Sequence, residues 1–134
     1  MISREAVRMT VTRTAINPWT WSAELGFDQA VLVSGQTRTL YCSGQTSMTA
    51  DGRPEHDGDI AAQLALSLAN LDAVLAAAGM TRENLVRLNV YTTDVDALFP
   101  HYATLGTLPA TTLLGVTRLA IPGQLVELEA TAVQ

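Results

Sequence analysis

The clearest pattern of hydrophobic and polar positions in the chain is a helical one between residues 57 and 79. Its apolar positions recur every three or four residues and therefore lie on one face of an α-helix. They are Ile60, Leu64, Leu68, Leu71 and Leu75. The aspartates before this stripe are favourable at a helix N-terminus, and the glycine after it is a residue that commonly ends a helix. We predict a helix here, with an alanine-rich second face suited to close packing on a sheet.

Short stretches with alternating apolar and polar residues, or rich in Val and Thr, predict β-strands. They cover residues 8–15, 29–35, 38–45, 85–93, 111–119 and 125–133. Gly35 and Gln36 lie between the second and third of these, and we predict a hairpin turn there because glycine accepts a positive φ. A second helical pattern over residues 94–106 contains Pro100, which a helix tolerates only near its first turn. The order β, ββ, α, β, α, ββ predicts one two-layer α+β domain over residues 1–134, with a mixed β-sheet and two helices on one face.

The predicted helices leave the other face of this sheet uncovered. On the last strand, Val126 and Leu128 alternate with Glu127 and Glu129, so one face belongs to the core and the other carries acids. Charged residues make up only 16% of the chain and hydrophobic residues 48%. This composition favours covering the open face with another copy of the chain over exposing it to water. We therefore expect self-association.

Charge and composition also argue against several classes of function. A net charge of −5 with scattered basic residues does not supply the clustered cations that nucleic acids require. The single cysteine, Cys42, has no disulfide partner and is interpreted as a buried hydrophobe. No apolar run approaches a membrane span and the N-terminus lacks a signal-peptide pattern, so we expect a cytoplasmic protein. His56 and His101 lack metal-ligand spacing, and we expect neither a metal nor a cofactor.

Several segments, in this order, resemble the RidA (YjgF/YER057c/UK114) family. They are "GFDQAV" and "LYCSGQ", the acidic loop before "DIAAQLALSLANLDAVLAAAGM", "VRLNVYTTDVDAL", and "PATTLLGVTRL" with "LVELEATAV". Together they cover the chain from about Gly26 to the C-terminus. The resemblance implies a chorismate-mutase-like fold assembled as a homotrimer, with ligand clefts between subunits. Deaminases of imines and enamines are among the family's members.

The resemblance also implies a site, residue by residue. Glu127 corresponds to the acid with which the family's deaminases position the attacking water, and a structural carboxylate is its alternative role. Gly44 lies in the second copy of a repeated SGQT, which matches the family's SGQ at a cleft-lining strand end; the first copy is then only a turn. Glu127 is the expected catalytic residue. The expected substrate-binding residues are Phe27, Ser43, Gly44, Gln45, Arg87, Tyr91, Thr111, Thr112 and Leu113.

Two features depart from the family pattern. The position after "PA", where the deaminases carry an arginine that clamps the substrate carboxylate, is Thr111, which offers one neutral hydroxyl. Arg118 lies seven residues further, an odd separation that points it to the opposite face of a regular strand. Arg87 shares strand parity with Tyr91 and is the alternative cation. The second helix, with Pro100 in it, is also shorter than the family pattern.

Two functions from different classes follow from this reading. The first is a deaminase-like homotrimer that binds a small, weakly polar molecule and hydrolyses an imine- or enamine-type C–N bond on substrates without the usual carboxylate. The second is a non-catalytic trimer that binds a ligand or a partner, which the missing arginine also favours. Ribonuclease activity is attached to the family by name, and the acidic charge balance argues against it.

Overall fold

The computed structural model describes residues 10–134. The strands and helices are β1 Thr12–Ile16, β2 Ala30–Ser34, β3 Thr39–Tyr41, α1 Ile60–Ala77, β4 Leu85–Thr92, α2 Val95–Leu98, β5 Ala110–Gly115 and β6 Val126–Val133. Short 3₁₀ segments cover Trp21–Leu25, Arg82–Asn84 and Phe99–Leu105. Within the described residues, the order of strands and helices is the predicted one. Residues 8 and 9 of the first predicted strand lie outside the described part of the chain.

Four strands form the central sheet in the order β3-β6-β4-β5. β4 pairs in parallel with β5 and antiparallel with β6, while β3 pairs antiparallel with β6. The sheet is therefore mixed, as predicted. α1 packs on β6 and also contacts α2, and the buried side chains of both helices join one core with those of β4 and β6. Both helices lie on one face of the sheet, which confirms the two-layer α+β class.

The predicted hairpin between the second and third strands is wrong. β2 pairs with β1 in a separate two-stranded ribbon, whereas β3 pairs with β6 in the central sheet. Gly35 does adopt a positive φ of 78°, and a Cβ there would lie 2.8 Å from the carbonyl oxygen of Thr10. Glycine is therefore needed at this turn, which leads the chain from one sheet to the other. A glycine in the sequence predicts where the chain turns, but it does not predict which strands pair on either side of the turn.

α1 has nearly the predicted bounds and caps. The carboxylate of Asp59 accepts a hydrogen bond from the backbone N–H of Ala62 at 3.0 Å, and Gly79 follows the helix with a φ of 73°. With 18 residues and a mean hydropathy of 1.6, α1 is long and apolar enough to cross a membrane by length and composition. The prediction that no apolar run approaches that length is corrected accordingly. The leucine face of α1 is buried against β6, as in the core helix of a folded domain.

The second predicted helix is divided at Pro100. α2 ends at Leu98 and a 3₁₀ segment begins at Phe99, so the proline occupies the first turn of a new segment. A missing N–H is tolerated there because first-turn N–H groups have no partner within their own helix. Asp94 caps α2 by accepting from the backbone N–H of Ala97 at 3.0 Å. The second helix is therefore short, as its proline predicts.

One buried glutamine ties α1 to the loops that lead into β6. The side-chain amide of Gln63 donates to the carbonyl oxygens of His56 and Gly123 at 3.0 and 2.9 Å. Its carbonyl oxygen accepts from the backbone N–H of Leu125 at 2.7 Å. Gln63 is fully buried, so these three hydrogen bonds satisfy the whole amide in the interior. The start of β6 is thereby fixed relative to α1.

Candidate functional site

The sheet face that the helices leave open carries polar side chains from three adjacent strands. On β4 and β6, Tyr91 lies opposite Glu127 and Asn89 lies opposite Glu129. On β5, Thr112 lies beside Asn89. Residues paired across neighbouring strands share a face of the sheet. We call the following residues the open-face cluster: Arg87, Asn89, Tyr91, Thr112, Glu127 and Glu129.

Gly44 lies directly against the carboxyl group of Glu127. A Cβ atom on Gly44 would be 1.7 Å from Oε1 of Glu127 and 2.6 Å from its Cδ, so glycine alone permits this approach. Backbone hydrogen bonds of 2.7 and 2.9 Å between Gln45 and Leu128 hold the loop against β6. The structure thus brings the predicted segment of Ser43, Gly44 and Gln45 beside the predicted catalytic acid.

Two further amide side chains fix the loop that follows Gly44. Nε2 of Gln124 donates to the Ser47 carbonyl at 3.1 Å, and its Oε1 accepts from the Ser47 N–H at 2.9 Å. Asn70 on α1 donates two more hydrogen bonds to carbonyl groups of the same loop. Sequence reasoning missed both residues, because their partners are backbone groups far away in the chain. They keep Gly44 in place without touching it.

The environments of the two carboxyl groups on β6 move their pKa values in opposite directions. Burial raises the pKa of Glu127, and the charge of Glu129 raises it further. Hydrogen bonds from Asn89 at 3.0 Å and from the Tyr91 hydroxyl at 2.8 Å lower the pKa of Glu129. The pKa of Tyr91 is raised, first because its hydroxyl donates to Glu129. When the pKa values of two neighbouring carboxyl groups differ, one group can exchange a proton while the other stays ionised.

Thr111 and Leu113 lie on the helix side of β5 and not on the open face. Their partners on β4 are Leu88 and Val90, which are buried in the core. The Thr111 hydroxyl donates to a backbone carbonyl two residues before it at 2.9 Å, and Leu113 packs against the core. Because successive residues of a strand point to opposite faces, only Thr112 among the three predicted β5 residues reaches the open face.

Phe27 also belongs to the helix side. A bridge between Asp28 and Ala110 places it beside the start of β5, and its side chain packs against the core. The ring of Trp21 meets that of Phe27 edge to face, with 5.9 Å between ring centroids. Within one chain, the predicted site residues therefore form two groups, one on each face of the sheet.

Arg87 is the cation of the open-face cluster. Its Nη2 donates to Oγ1 of Thr112 at 2.7 Å, and within residues 10–134 it forms no ion pair with a carboxylate. Arg118 is exposed and follows the end of β5 at Gly115. Arg118 therefore lies beyond the strand, and the prediction that it points to the face opposite Thr111 is wrong in its premise.

A groove in the described part of the chain lies away from this cluster. It has a volume of about 550 Å³ and runs between the β1–β2 ribbon and the starts of β4 and β5, lined by Arg13, Val31 and Pro109 among others. It contains none of the predicted site residues.

Residues 10–134 also hold no group of three or more His, Cys, Asp or Glu side chains arranged for a metal ion. Cys42 is buried, and burial raises the pKa of its thiol.

The chain is similar to known proteins over nearly its whole length. The family model described as Endoribonuclease L-PSP matches residues 15–134. The 2-iminobutanoate/2-iminopropanoate deaminase of Rattus norvegicus is 33% identical over 132 residues, covering 93% of each chain. Protein DfrA of Myxococcus xanthus is 32% identical, covering 98% of this chain and 97% of that one. A crystal structure of YyfB from Yersinia pestis, described as a protein of unknown function of the conserved Rid family, matches with a TM-score of 0.81 and 34% identity over 94% of this chain and 100% of that one. Sequence and fold together show that the chain belongs to the RidA (YjgF/YER057c/UK114) family.

Proposed function

We propose that this protein hydrolyses imines or enamines, with release of ammonia, at a site built around Glu127 and the backbone of Gly44. The contact between these two residues carries the proposal, because it requires glycine and places a half-buried carboxyl group against the half-buried backbone of Gly44. The similarity to the rat 2-iminobutanoate/2-iminopropanoate deaminase supports the same chemistry. Ser43 and Gln45 flank the contact and complete its rim.

In the proposed reaction, water attacks the carbon of the C=N bond and forms a C–O bond, while the π electron pair moves to nitrogen. The Glu127 carboxylate accepts a proton from the water and returns it to the nitrogen. The resulting carbinolamine loses ammonia as the C–N bond breaks and its oxygen gives up a proton, which leaves a carbonyl compound. A raised pKa suits Glu127 to this task, since it makes the carboxylate a stronger proton acceptor.

The positions of the cations favour a substrate without a carboxylate next to the C=N bond. The residue at position 111 is a neutral threonine whose hydroxyl donates to backbone. Arg87 lies four positions along β4 from Tyr91, the residue opposite Glu127, which corresponds to about 13 Å of strand. The carboxylate of a 2-imino acid is bonded directly to the imine carbon. Arg87 is therefore not adjacent to Glu127 on the sheet of one chain, where the carboxylate of a 2-imino acid would require a cation.

Ammonia release from imines generated in situ by oxidases tests this preference. We expect the wild-type protein to act on imines without an adjacent carboxylate in preference to 2-imino acids. In the homotrimer proposed below, a second copy brings position 111 to the site, so we expect Thr111→Arg to raise kcat/KM for 2-imino acids at least about tenfold. This is the effect of a charge-assisted hydrogen bond of about 1.5–3 kcal/mol. Thr111→Gln, with a long neutral side chain, is the control. A wild-type preference for 2-imino acids would contradict the proposed substrate class.

We also propose that the chain forms a homotrimer with its ligand clefts between subunits, as the resemblance implies. Two large side chains on the open face, Tyr41 and Leu114, are 79% and 47% exposed in the single chain, which favours covering this face. The predicted site residues lie on both faces of the sheet, so a second copy is needed to bring the two groups together. Light scattering should give a mass three times the 14.3 kDa of one chain. A monomer at micromolar concentration would contradict the assembly.

The alternative is a non-catalytic trimer that binds a ligand or partner. It is favoured by the same Thr111 hydroxyl, which is already engaged by backbone. Such a protein would gain thermal stability from its ligand without releasing ammonia. Ribonuclease activity, which the description of the family model suggests, is disfavoured by the net charge of −5 and by the paired acids Glu127 and Glu129, which repel phosphate groups.

A further inference from the structure

We infer that Glu129 is a positioning residue for Glu127: held by Asn89 and Tyr91, it places a fixed negative charge beside Glu127 and makes Glu127 a stronger proton acceptor. The inference rests on the proposed function, although its first test requires no turnover. It concerns residues that the proposed reaction leaves without a role.

The geometry fixes both the position and the charge of Glu129. It is the second residue after Glu127 on β6, so both side chains project from the open face with their Cα atoms about 6.7 Å apart. Nδ2 of Asn89 and the hydroxyl of Tyr91 both donate to Oε1 of Glu129, at 3.0 and 2.8 Å. Two donors that converge on one oxygen favour a carboxylate, because an ionised carboxylate acts only as an acceptor.

Glu127 has a different environment. Within residues 10–134 its carboxyl group has no hydrogen-bond donor, and it lies against Gly44. Tyr91 is opposite Glu127 in the register of β4 and β6, yet its hydroxyl turns to Glu129. The pKa of Glu127 is raised and that of Glu129 lowered, in agreement with these contacts. Of the two carboxyl groups, Glu127 is therefore the one that binds a proton more readily.

Few other charges act on Glu127 from the elements packed against it. β4 contributes Tyr91 and, four positions away, Arg87, which is hydrogen-bonded to β5. The loop over residues 43–48 contributes no ionisable side chain. Glu129 is thus the nearest formal charge along β6. With the Cα separation of about 6.7 Å taken as the distance between the charges, one unit charge in a water-like dielectric changes the proton affinity of its neighbour about threefold.

The direction of the pH effect follows from the charge. When Glu129 becomes neutral, Glu127 loses a repulsive neighbour and ionises at lower pH. The proton-accepting form of Glu127 then persists at lower pH. The acidic limb of the pH–rate profile therefore moves to lower pH in Glu129→Gln.

Carboxyl titration by NMR on the full chain, labelled with ¹³C-glutamate, tests the inference directly. In Glu129→Gln we expect the midpoint of Glu127 to move to lower pH, with about a threefold loss of proton affinity. Glu83→Gln, which removes an exposed acid from the turn before β4, is the matched control and should leave the midpoint unchanged. Glu129→Asp should restore it in part. If the titration midpoint of the Glu127 carboxyl group does not move in Glu129→Gln, the inference is overturned.

The pH–rate profile distinguishes failure of this inference from failure of the proposed function. On an imine that the wild type turns over, Glu129→Gln should shift the acidic limb of kcat/KM to lower pH by the same factor. An active wild type whose Glu127 midpoint does not respond to Glu129→Gln refutes the positioning role and leaves the function standing. A wild type without turnover refutes the function, while a moved midpoint still supports the role of Glu129.

Discussion

Replacing Glu127 with glutamine is expected to lower the rate of ammonia release at least about a hundredfold. A positioned general base contributes roughly 10²–10⁴-fold, and an amide of the same shape cannot accept the proton of the attacking water. The side chain is half-buried against Gly44, so a group of equal volume should leave the fold intact. The measurement is kcat/KM on a freshly generated imine, with circular dichroism and light scattering to confirm folding and assembly.

Glu129→Gln is the matched control, because it makes the same chemical change two residues away on the same face. It should keep most of the activity at the pH optimum. Equal losses in the two variants would assign the effect to the charge of the open face and not to a base at Glu127. Wild-type activity in Glu127→Gln would exclude the proposed mechanism.

Replacing Gly44 with alanine should reduce activity by about two orders of magnitude while the protein still folds. The new Cβ would lie 1.7 Å from Oε1 of Glu127 and 2.6 Å from its Cδ, so the carboxyl group must move. A glutamate side chain can rotate away at modest cost, which protects the fold. Displacement of a reacting group by about 1 Å can cost roughly 10²-fold in rate. The measurement is again kcat/KM, beside the unfolding midpoint.

Ser34→Ala is the control, since Ser34 lies in the first SGQT copy and is exposed on β2, away from Glu127. The double variant Gly44→Ala with Glu127→Asp provides a stricter test. A shorter acid leaves room for the alanine methyl group, so the two changes should cost less together than their separate losses predict. Full activity in Gly44→Ala would mean that the contact with Glu127 has no part in the reaction.

The sequence predicts the parts of the fold that depend on long, uninterrupted periodicity. The leucine stripe of α1 and the alternation along β6 specify both their secondary structure and their buried faces. The partners of β2 and β3 were not predictable, because the turn at Gly35 serves a hairpin and a change of sheet equally well. Strand pairing is decided by contacts between residues distant in sequence, which no local pattern records.

The site, like the fold, was predictable from the sequence only in part. Strand parity could have separated Thr111 from Thr112, since neighbours on one strand cannot share a face. The family resemblance placed Gly44 and Glu127 at one cleft, but neither it nor any spacing in the chain predicted the contact between them. The alternation of β6 places Glu129 beside Glu127, but the donors to Glu129 depend on the register between β4 and β6. The sequence therefore predicts which site residues are neighbours on one strand, but not the contacts that depend on the register between strands.

The most direct test of the central claim is the initial rate of ammonia release from an imine that lacks an adjacent carboxylate. The imine is generated in situ by an amine oxidase, and purified wild type and Glu127→Gln are added in increasing amounts. We expect the rate to rise in proportion to the wild-type protein and to stay near the spontaneous rate with Glu127→Gln. If ammonia release with the wild type stays at the spontaneous rate, on imines with and without a carboxylate, the proposed hydrolysis is contradicted and a binding protein is favoured.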